Sequence, residues 1–307
     1  NYFVDHDMPD DTGDGLTWAT AKKTVQAGID MAAADSQRRE VWVRQGSYIL
    51  GSGQTVTMKS EVKLLGGFTE DVAEIDLDPQ KTIIDGNGNS FPVIRMNTLV
   101  NTQFDGFTVT RAYSSASNKY GGGFDVDYCD ESNRISRCHI TYNENIGYSS
   151  YGSAMALTYC QMIIEDCWIH GNTGVAIVIG VDNPSFRDCT FSMNSGGAVS
   201  STNAEPEFLS CTFANNEGRG VSMGIGNTAY YHTHPLFYDC VFVGNWSGTG
   251  GAAYYDRCEP YFFNCIFAGN AATTRGGAIY ARAQFQQAMV TNSTFFGNFA
   301  ASEGSAI

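Results

Sequence analysis

In the stretch "FDVD", Asp125 and Asp127 stand two residues apart. In a strand that spacing puts both carboxylates on one face, as an acid–base pair requires. Asp256, followed by Arg257, occupies the matching place five repeats later; at ~4.8 Å per repeat it lies roughly 24 Å away, too far to act on the same bond. The matching positions between them hold Ala156, Thr158, Val178, Gly180, Ser200 and Thr202, none of them acidic. A polyuronate hydrolase would need clustered carboxylates, and a lyase a basic residue beside a bound Ca²⁺ ion. Arg219, Arg257, Arg275 and Arg282 are available for the second, with Asp256 the only acid near them on that face. The pattern weighs against catalysis. If catalysis occurs, Asp125, Asp127, Asp256 and Arg257 are the residues to carry it.

Two other groups could bind a ligand. The stretch "DHDMPDDTGDG" offers Asp5, Asp7, Asp10, Asp11 and Asp14 at spacings Ca²⁺ could use. It lacks the full EF-hand pattern, and Asp-Gly turns before a helix use the same residues. No cofactor is required by this reading; Ca²⁺ is the one ion it admits. In "YYHTHP", His232 and His234 lie beside Tyr230 and Tyr231, with Tyr254 and Tyr255 further on. A metal would need a third ligand there. Exposed tyrosines suit a sugar or a protein surface, and the opposing reading is that they pack over the wall of the fold. Asn245-Trp-Ser and Asn292-Ser-Thr match the glycosylation pattern, but Asn245 belongs to an internal series.

That series is what must position all of these groups. Cys138, Cys167, Cys189, Cys211, Cys240 and Cys265, with Ser293 in a seventh copy, are each followed five residues later by an asparagine: Asn143, Asn172, Asn194, Asn216, Asn245, Asn270 and Asn298. Between them come Ile or Phe, and after them small-residue turns such as Gly196-Gly197-Ala198. A repeat this short cannot bury an apolar face alone, so the copies must stack. Alternation within each copy is strand-like, which predicts an all-β solenoid, a parallel β-helix with three short strands per coil. Phe191, Phe213 and Phe242 then form an inner ladder, and the asparagines a turn ladder of amide hydrogen bonds. The shortest repeat is 22 residues; longer coils must loop out "ENIGYSSYGS", "GIGNTAYYHTH" and "QFQQAMVT", and solenoid insertions are where binding usually lives.

Before the repeats, residues 1–40 read as a cap: a strand at "YFVDHD" and an amphipathic helix near 17–34, with Thr17 as its N-cap, over the open end of the solenoid. The β-helix then runs over 41–307, regular from about 101. Nine cysteines leave at least one unpaired. Those of the ladder read as small buried thiols, and Cys129 and Cys160 as the pair best placed for a bridge. A net charge of −14 argues against nucleic acid and anionic membranes as partners, and no apolar run approaches the ~18 residues of a membrane span. A chain beginning at Asn1 reads as processed. At its other end "SEGSAI" starts a further coil with no cap after it, which predicts either a piece of a longer surface protein or head-to-tail filaments.

The stretches "DGLTWATAKKTVQAGID", "VWVRQGSY", "VKLLGGF", "TIIDGNG" and "DGFTVT", followed by the Cys-x-Phe-x-x-Asn repeats, resemble secreted bacterial right-handed parallel β-helix proteins of the pectate-lyase-like superfamily, with repeats like those of polymorphic outer membrane proteins. The resemblance spans essentially the whole chain. It implies right-handed coils and life outside the cell or on its surface, and it does not single out an activity. The function expected is a non-catalytic extracellular structural or adhesive module, partnered by itself, by other surface proteins or by extracellular polysaccharide. The alternative is a secreted polysaccharide lyase or hydrolase.

Overall fold

The computed structural model describes residues 1–69, 78–114, 121–146, 152–224, 233–282 and 288–307. Among these the chain winds as a right-handed parallel β-helix whose coils contribute one strand to each of three sheets. Sheet A has eleven strands, from Tyr2–Val4 to Met289–Thr291; sheet B has ten, from Gly46–Ile49 to Thr294–Phe296; sheet C has nine, from Val56–Thr57 to Ile279–Arg282. Each strand pairs in parallel with its copy one coil away, as in Phe208↔Phe237, Phe213↔Phe242 and Ser200↔Ser222.

Side chains alternate in and out along each strand, so in-register pairing lines up like residues. Phe191, Phe213, Phe242, Phe267 and Phe295 stack inside sheet B with ring centroids 4.5–4.8 Å apart. A second ladder inside sheet A, Phe186, Phe208, Phe237 and Phe262, stacks at 4.7–4.9 Å. The two meet edge to face, the arrangement aromatic quadrupoles favour.

Two of the three corners of each coil carry a repeated device. Between A and B the residue before each ladder Cys or Ser (Arg137, Asp166, Asp188, Ser210, Asp239, Asn264, Asn292) has φ of 47–55°. Asp and Asn tolerate this left-handed conformation better than most residues. After sheet B comes the asparagine ladder. Each Nδ2 from Asn143 to Asn270 donates to the Oδ1 of the asparagine in the next coil at 2.9–3.2 Å. Each also donates to a main-chain carbonyl of the coil before. Six of the seven are buried and Asn298 is half-buried.

The cap differs from the sequence expectation. The α-helix α1 is Val25–Ala34, capped by Thr24, while Thr17 caps only a 3₁₀ turn, Trp18–Thr20. Lys22 breaks the run because its main chain is taken by the strand Tyr2–Val4: its N–H donates to the Phe3 carbonyl, and its carbonyl accepts from Asp5. Val25, Ile29 and Ala32 face inward. At Gly28 a Cβ would come 2.5 Å from Val4 Cγ2, so only glycine allows the helix this close. Tyr2–Val4 pairs with Val41–Val43 and so opens sheet A itself.

The expected Cys129–Cys160 bridge is absent. All nine cysteines are free and buried; the Cys129 thiol donates to the Asp127 carbonyl and the Cys160 thiol to those of Val126 and Thr158. Burial pushes the first up to about 11 and the second to about 12, so both remain protonated thiols.

Candidate functional site

Outward positions of sheet C do not repeat from coil to coil. In order they hold Arg95/Asn97, Asp125/Asp127, Ala156/Thr158, Val178/Gly180, Ser200/Thr202, Ser222/Gly224, Tyr254/Asp256 and Tyr280/Arg282. The middle is a floor of small side chains. Charged and aromatic groups stand at both ends. Four stretches outside the described residues border this sheet in sequence: 115–120 and 147–151 lead into its strands, and 225–232 and 283–287 follow them.

At the acidic end, Asp125 is nearly buried and its Oδ2 lies 3.4 Å from Arg95 Nε. Burial, then the charge of Asp127, lifts Asp125 to about 6, against the pull of Arg95. Burial also raises Asp127, opposed by a hydrogen bond from the Thr158 hydroxyl. A carboxyl held there can give or take a proton near neutrality. Immediately after these strands come Tyr128 and Tyr159, both at φ 53°. Their rings stack 4.8 Å apart at 10° while remaining 58% and 43% exposed. The same corner position holds Thr98, Asn203 and Arg257 at φ 55–59°, so the left-handed turn belongs to the coil, and bulky tyrosines occupy it here.

At the other end the Arg219 guanidinium lies 4.4 Å over the Tyr254 ring, a cation–π contact. Thr249 fixes it, accepting from Nε through its carbonyl at 2.9 Å and from the terminal nitrogen through its hydroxyl at 3.0 Å. Tyr280 stacks on Tyr254 at 5.8 Å. Arg282 is hydrogen-bonded to the Tyr254 hydroxyl, and Arg257 Nε lies 3.5 Å from Asp256 Oδ1.

The residues singled out from sequence are distributed as follows. Asp125 and Asp127 share one strand, and Asp256 is five strands further along the sheet, so the structure brings only the first two together. Tyr254 faces outward, but Tyr255, its neighbour, points into the core and is 4% exposed. It cannot contact a ligand, because successive strand residues face opposite ways. Tyr230, Tyr231 and His232 lie outside the described residues. His234 is held at the corner between C and A. Its Nδ1 is 3.2 Å from Glu205 Oε1, its Nε2 3.4 Å from Glu259 Oε2, and its ring packs on Tyr261. Both ring nitrogens are thereby occupied.

The five N-terminal aspartates do not converge on one point. Asp5 pairs with Arg44 at 2.5 Å and accepts from the Asp7 N–H. Asp10 accepts from Thr12, Asp11 from the N–H groups of Lys23 and Thr24 at the start of α1, and Asp14 from Leu16 and Thr20. Only Asp5 and Asp7 come together, with His6 as the third member of the group.

Sequence reasoning missed Arg95, Tyr128, Tyr159 and Tyr280. A signal for two of them was present: Tyr-Cys occurs at 128–129 and again at 159–160, each just after a strand of C.

The family model for the right handed beta helix region matches residues 82–295. No curated protein matches the sequence. Among solved structures, the pectate lyase Pel9A superposes with a TM-score of 0.56 at 12% identity, covering 93% of this chain and 78% of that one. The A-module of the mannuronan C-5 epimerase AlgE4 from Azotobacter vinelandii gives 0.49 at 12%, covering 98% and 99%. PfbA, a surface adhesin of Streptococcus pneumoniae, gives 0.39 at 11%, covering 91% and 88%. Identities this low speak for the fold alone.

Proposed function

The chain belongs to the right handed beta helix family, and on that premise we propose that it is an extracellular adhesive module that binds a polysaccharide lengthwise along sheet C. One observation carries the reading: the floor of small outward side chains from Thr158 to Gly224, flanked by Tyr128 and Tyr159 at one end and Tyr254 and Tyr280 at the other. The coils advance ~4.8 Å each, close to the length of one sugar in an extended chain, so a linear glycan can keep register with the sheet. Its flat C–H faces suit the exposed rings, and its hydroxyls suit Ser200, Thr202, Ser222 and the charged ends. The fold's likeness to a pectate lyase supports a polysaccharide as ligand class by analogy only.

A second reading, cleavage of the bound chain, is favoured by Asp125. It is raised to about 6 beside a second carboxylate and an arginine, as a general acid would be. One experiment separates the two. The protein is mixed with neutral and uronate-containing polysaccharides, with and without Ca²⁺; binding is read by affinity electrophoresis, and cleavage by reducing ends and by ultraviolet absorbance of unsaturated products. Retardation without new ends supports the adhesive reading, and new ends abolished by Asp125→Asn support the second. Neither signal with any polysaccharide contradicts both.

A further inference from the structure

The cap closes the first edges of the three sheets unequally. Sheet A begins with Tyr2–Val4, paired in parallel with Val41–Val43. Sheet C begins with Val56–Thr57. There Val56 and Met58 donate to the Val93 and Arg95 carbonyls of the next coil, and Thr57 between them turns its main chain the other way. The Gln26 side chain of α1 meets it, accepting from the Thr57 N–H at 2.7 Å and donating to the Thr57 carbonyl at 3.3 Å. One amide thus stands in for a further strand of sheet C. Sheet B begins with Gly46–Ile49, paired on one side with Thr82–Asp85. Leu50 donates to the Asp85 carbonyl, and alternate residues of a parallel strand turn their N–H and C=O to opposite sides. The main-chain groups of Ser47 and Ile49 therefore face away from the sheet, and among the described residues none bonds to them there. This edge lines a cavity of about 480 Å³, walled by Val25 and Gln26 of α1 and by Thr55 and Val56. At one end the His6 ring lies so close that a Cβ on Gly46 would come 2.2 Å from it, so the open stretch is Ser47 to Leu50. The opening is made by residues that are present: after Val4 the coil would turn into sheet B, but residues 5–24 leave it and lead into α1.

We infer that this edge takes an extended segment of another polypeptide as an added strand of sheet B. The outward-turned N–H and C=O groups of Ser47 and Ile49 recur at roughly 6.7 Å, two strand rises. A peptide main chain offers the complementary groups at that same interval. A bare edge is a template for pairing unless charge, proline or a bulge blunts it; Gly46–Ile49 has no charged residue, no proline and an unbroken register. The cavity is also of the size that binding sites have. In the added strand, the residue opposite Tyr48 donates to the Ser47 carbonyl and accepts from the Ile49 N–H. Its side chain points inward, as Tyr48 does, toward the buried Val25 and Val56, so it is apolar. Its two neighbours point to solvent beside Ser47 and Ile49, the latter 61% exposed, so they are polar. The ligand is a short peptide of alternating apolar and polar residues. Two copies of this chain carry −14 each and repel one another, which favours a different polypeptide over a second copy.

Fluorescence anisotropy with the full chain and a labelled, end-blocked peptide Thr-Val-Thr-Val-Thr-Val-Thr tests the inference. The peptide should bind with a Kd below about 1 mM. The same peptide N-methylated at its valines keeps every side chain but loses the main-chain donors, and should bind at least tenfold more weakly. Ile49→Pro removes an N–H that faces the cavity and spares the bonds to Thr82–Asp85, as proline on an edge strand can. It should weaken the unmethylated peptide to the same degree with unchanged circular dichroism. If that variant fails to fold, the two peptides on the wild type decide alone. No binding at about 1 mM, equal binding of the two peptides, or full binding by folded Ile49→Pro overturns the inference. So does a wild type that dimerises without peptide in sedimentation velocity while Ile49→Pro stays monomeric, because the occupant is then a second copy.

Discussion

Phe213, Asn216 and Ser222 belong to one coil and lie within ten residues of one another, yet they obey different rules. Phe213 and Asn216 sit in columns where each neighbouring coil repeats the residue, Phe191 and Phe242 around one, Asn194 and Asn245 around the other. Ser222 sits in a column that reads Arg95, Asp125, Ala156, Val178, Ser200, Ser222, Tyr254, Tyr280. Inside, a residue is chosen because its copy satisfies it, and repetition is the source of stability. Outside sheet C no copy is needed, so each position is free to answer to something that is not part of the chain.

The comparison can be broken in order of expected effect. Phe213→Ala removes a ring stacked on both sides and should cost about 3–5 kcal/mol in urea denaturation. Asn216→Ala removes the acceptor of both the Asn194 N–H and its Nδ2 and the donor to the Phe191 carbonyl, while the Asn245 Oδ1 keeps the Asn216 main-chain N–H; with about 1–3 kcal/mol per unsatisfied group, partly relieved by relaxation, the loss should be about 2–3 kcal/mol. A loss below about 0.5 kcal/mol, the range of neutral surface changes, would make the ladder dispensable.

Asp125 should act in the opposite direction. A carboxyl raised in the folded state binds its proton more tightly there than in the unfolded chain. Stability therefore falls as pH rises from the unfolded value near 4 through about 6, and stays lower above that. Asp125→Asn should stabilise the protein by roughly 1–2 kcal/mol near pH 7, discounted from the full shift for its partial contact with water. The gain should vanish towards pH 4. A variant less stable than wild type near pH 7 would make Asp125 a structural partner of Arg95 instead. Ser222→Ala should change stability by less than about 0.5 kcal/mol; a larger loss would show that the outer face also holds the fold.

How far the sequence disclosed this follows from the same distinction. The ladders were legible because Cys138 through Ser293 and Asn143 through Asn298 recur at a fixed offset, and only stacking explains that. The helix start was misplaced because Trp18 fits helical spacing, while the pairing of Lys22 with Phe3 and Asp5 is a tertiary contact that spacing does not encode. Tyr254 and Tyr255 looked alike in sequence, and only strand phase sends one out and the other in. Tyr128 and Tyr159 are 31 residues apart, separated by a coil of irregular length, so their stacking depends on a register that composition does not reveal. Among the N-terminal aspartates the sequence did not separate Asp10, Asp11 and Asp14, which accept hydrogen bonds from nearby turns and the start of α1, from Asp5 and Asp7, which come together with His6, because capping and calcium binding call on the same carboxylates.

The most direct test of the polysaccharide reading places one bulky side chain in each of two outward columns. Ser200→Trp fills the floor of sheet C, whereas Thr212→Trp sits outward on sheet B; both leave the core ladders untouched. Affinity electrophoresis on whichever polysaccharide retards the wild type should show retardation lost in Ser200→Trp, at least tenfold in apparent Kd, and kept in Thr212→Trp. Equal retardation of both variants and the wild type would contradict binding along sheet C.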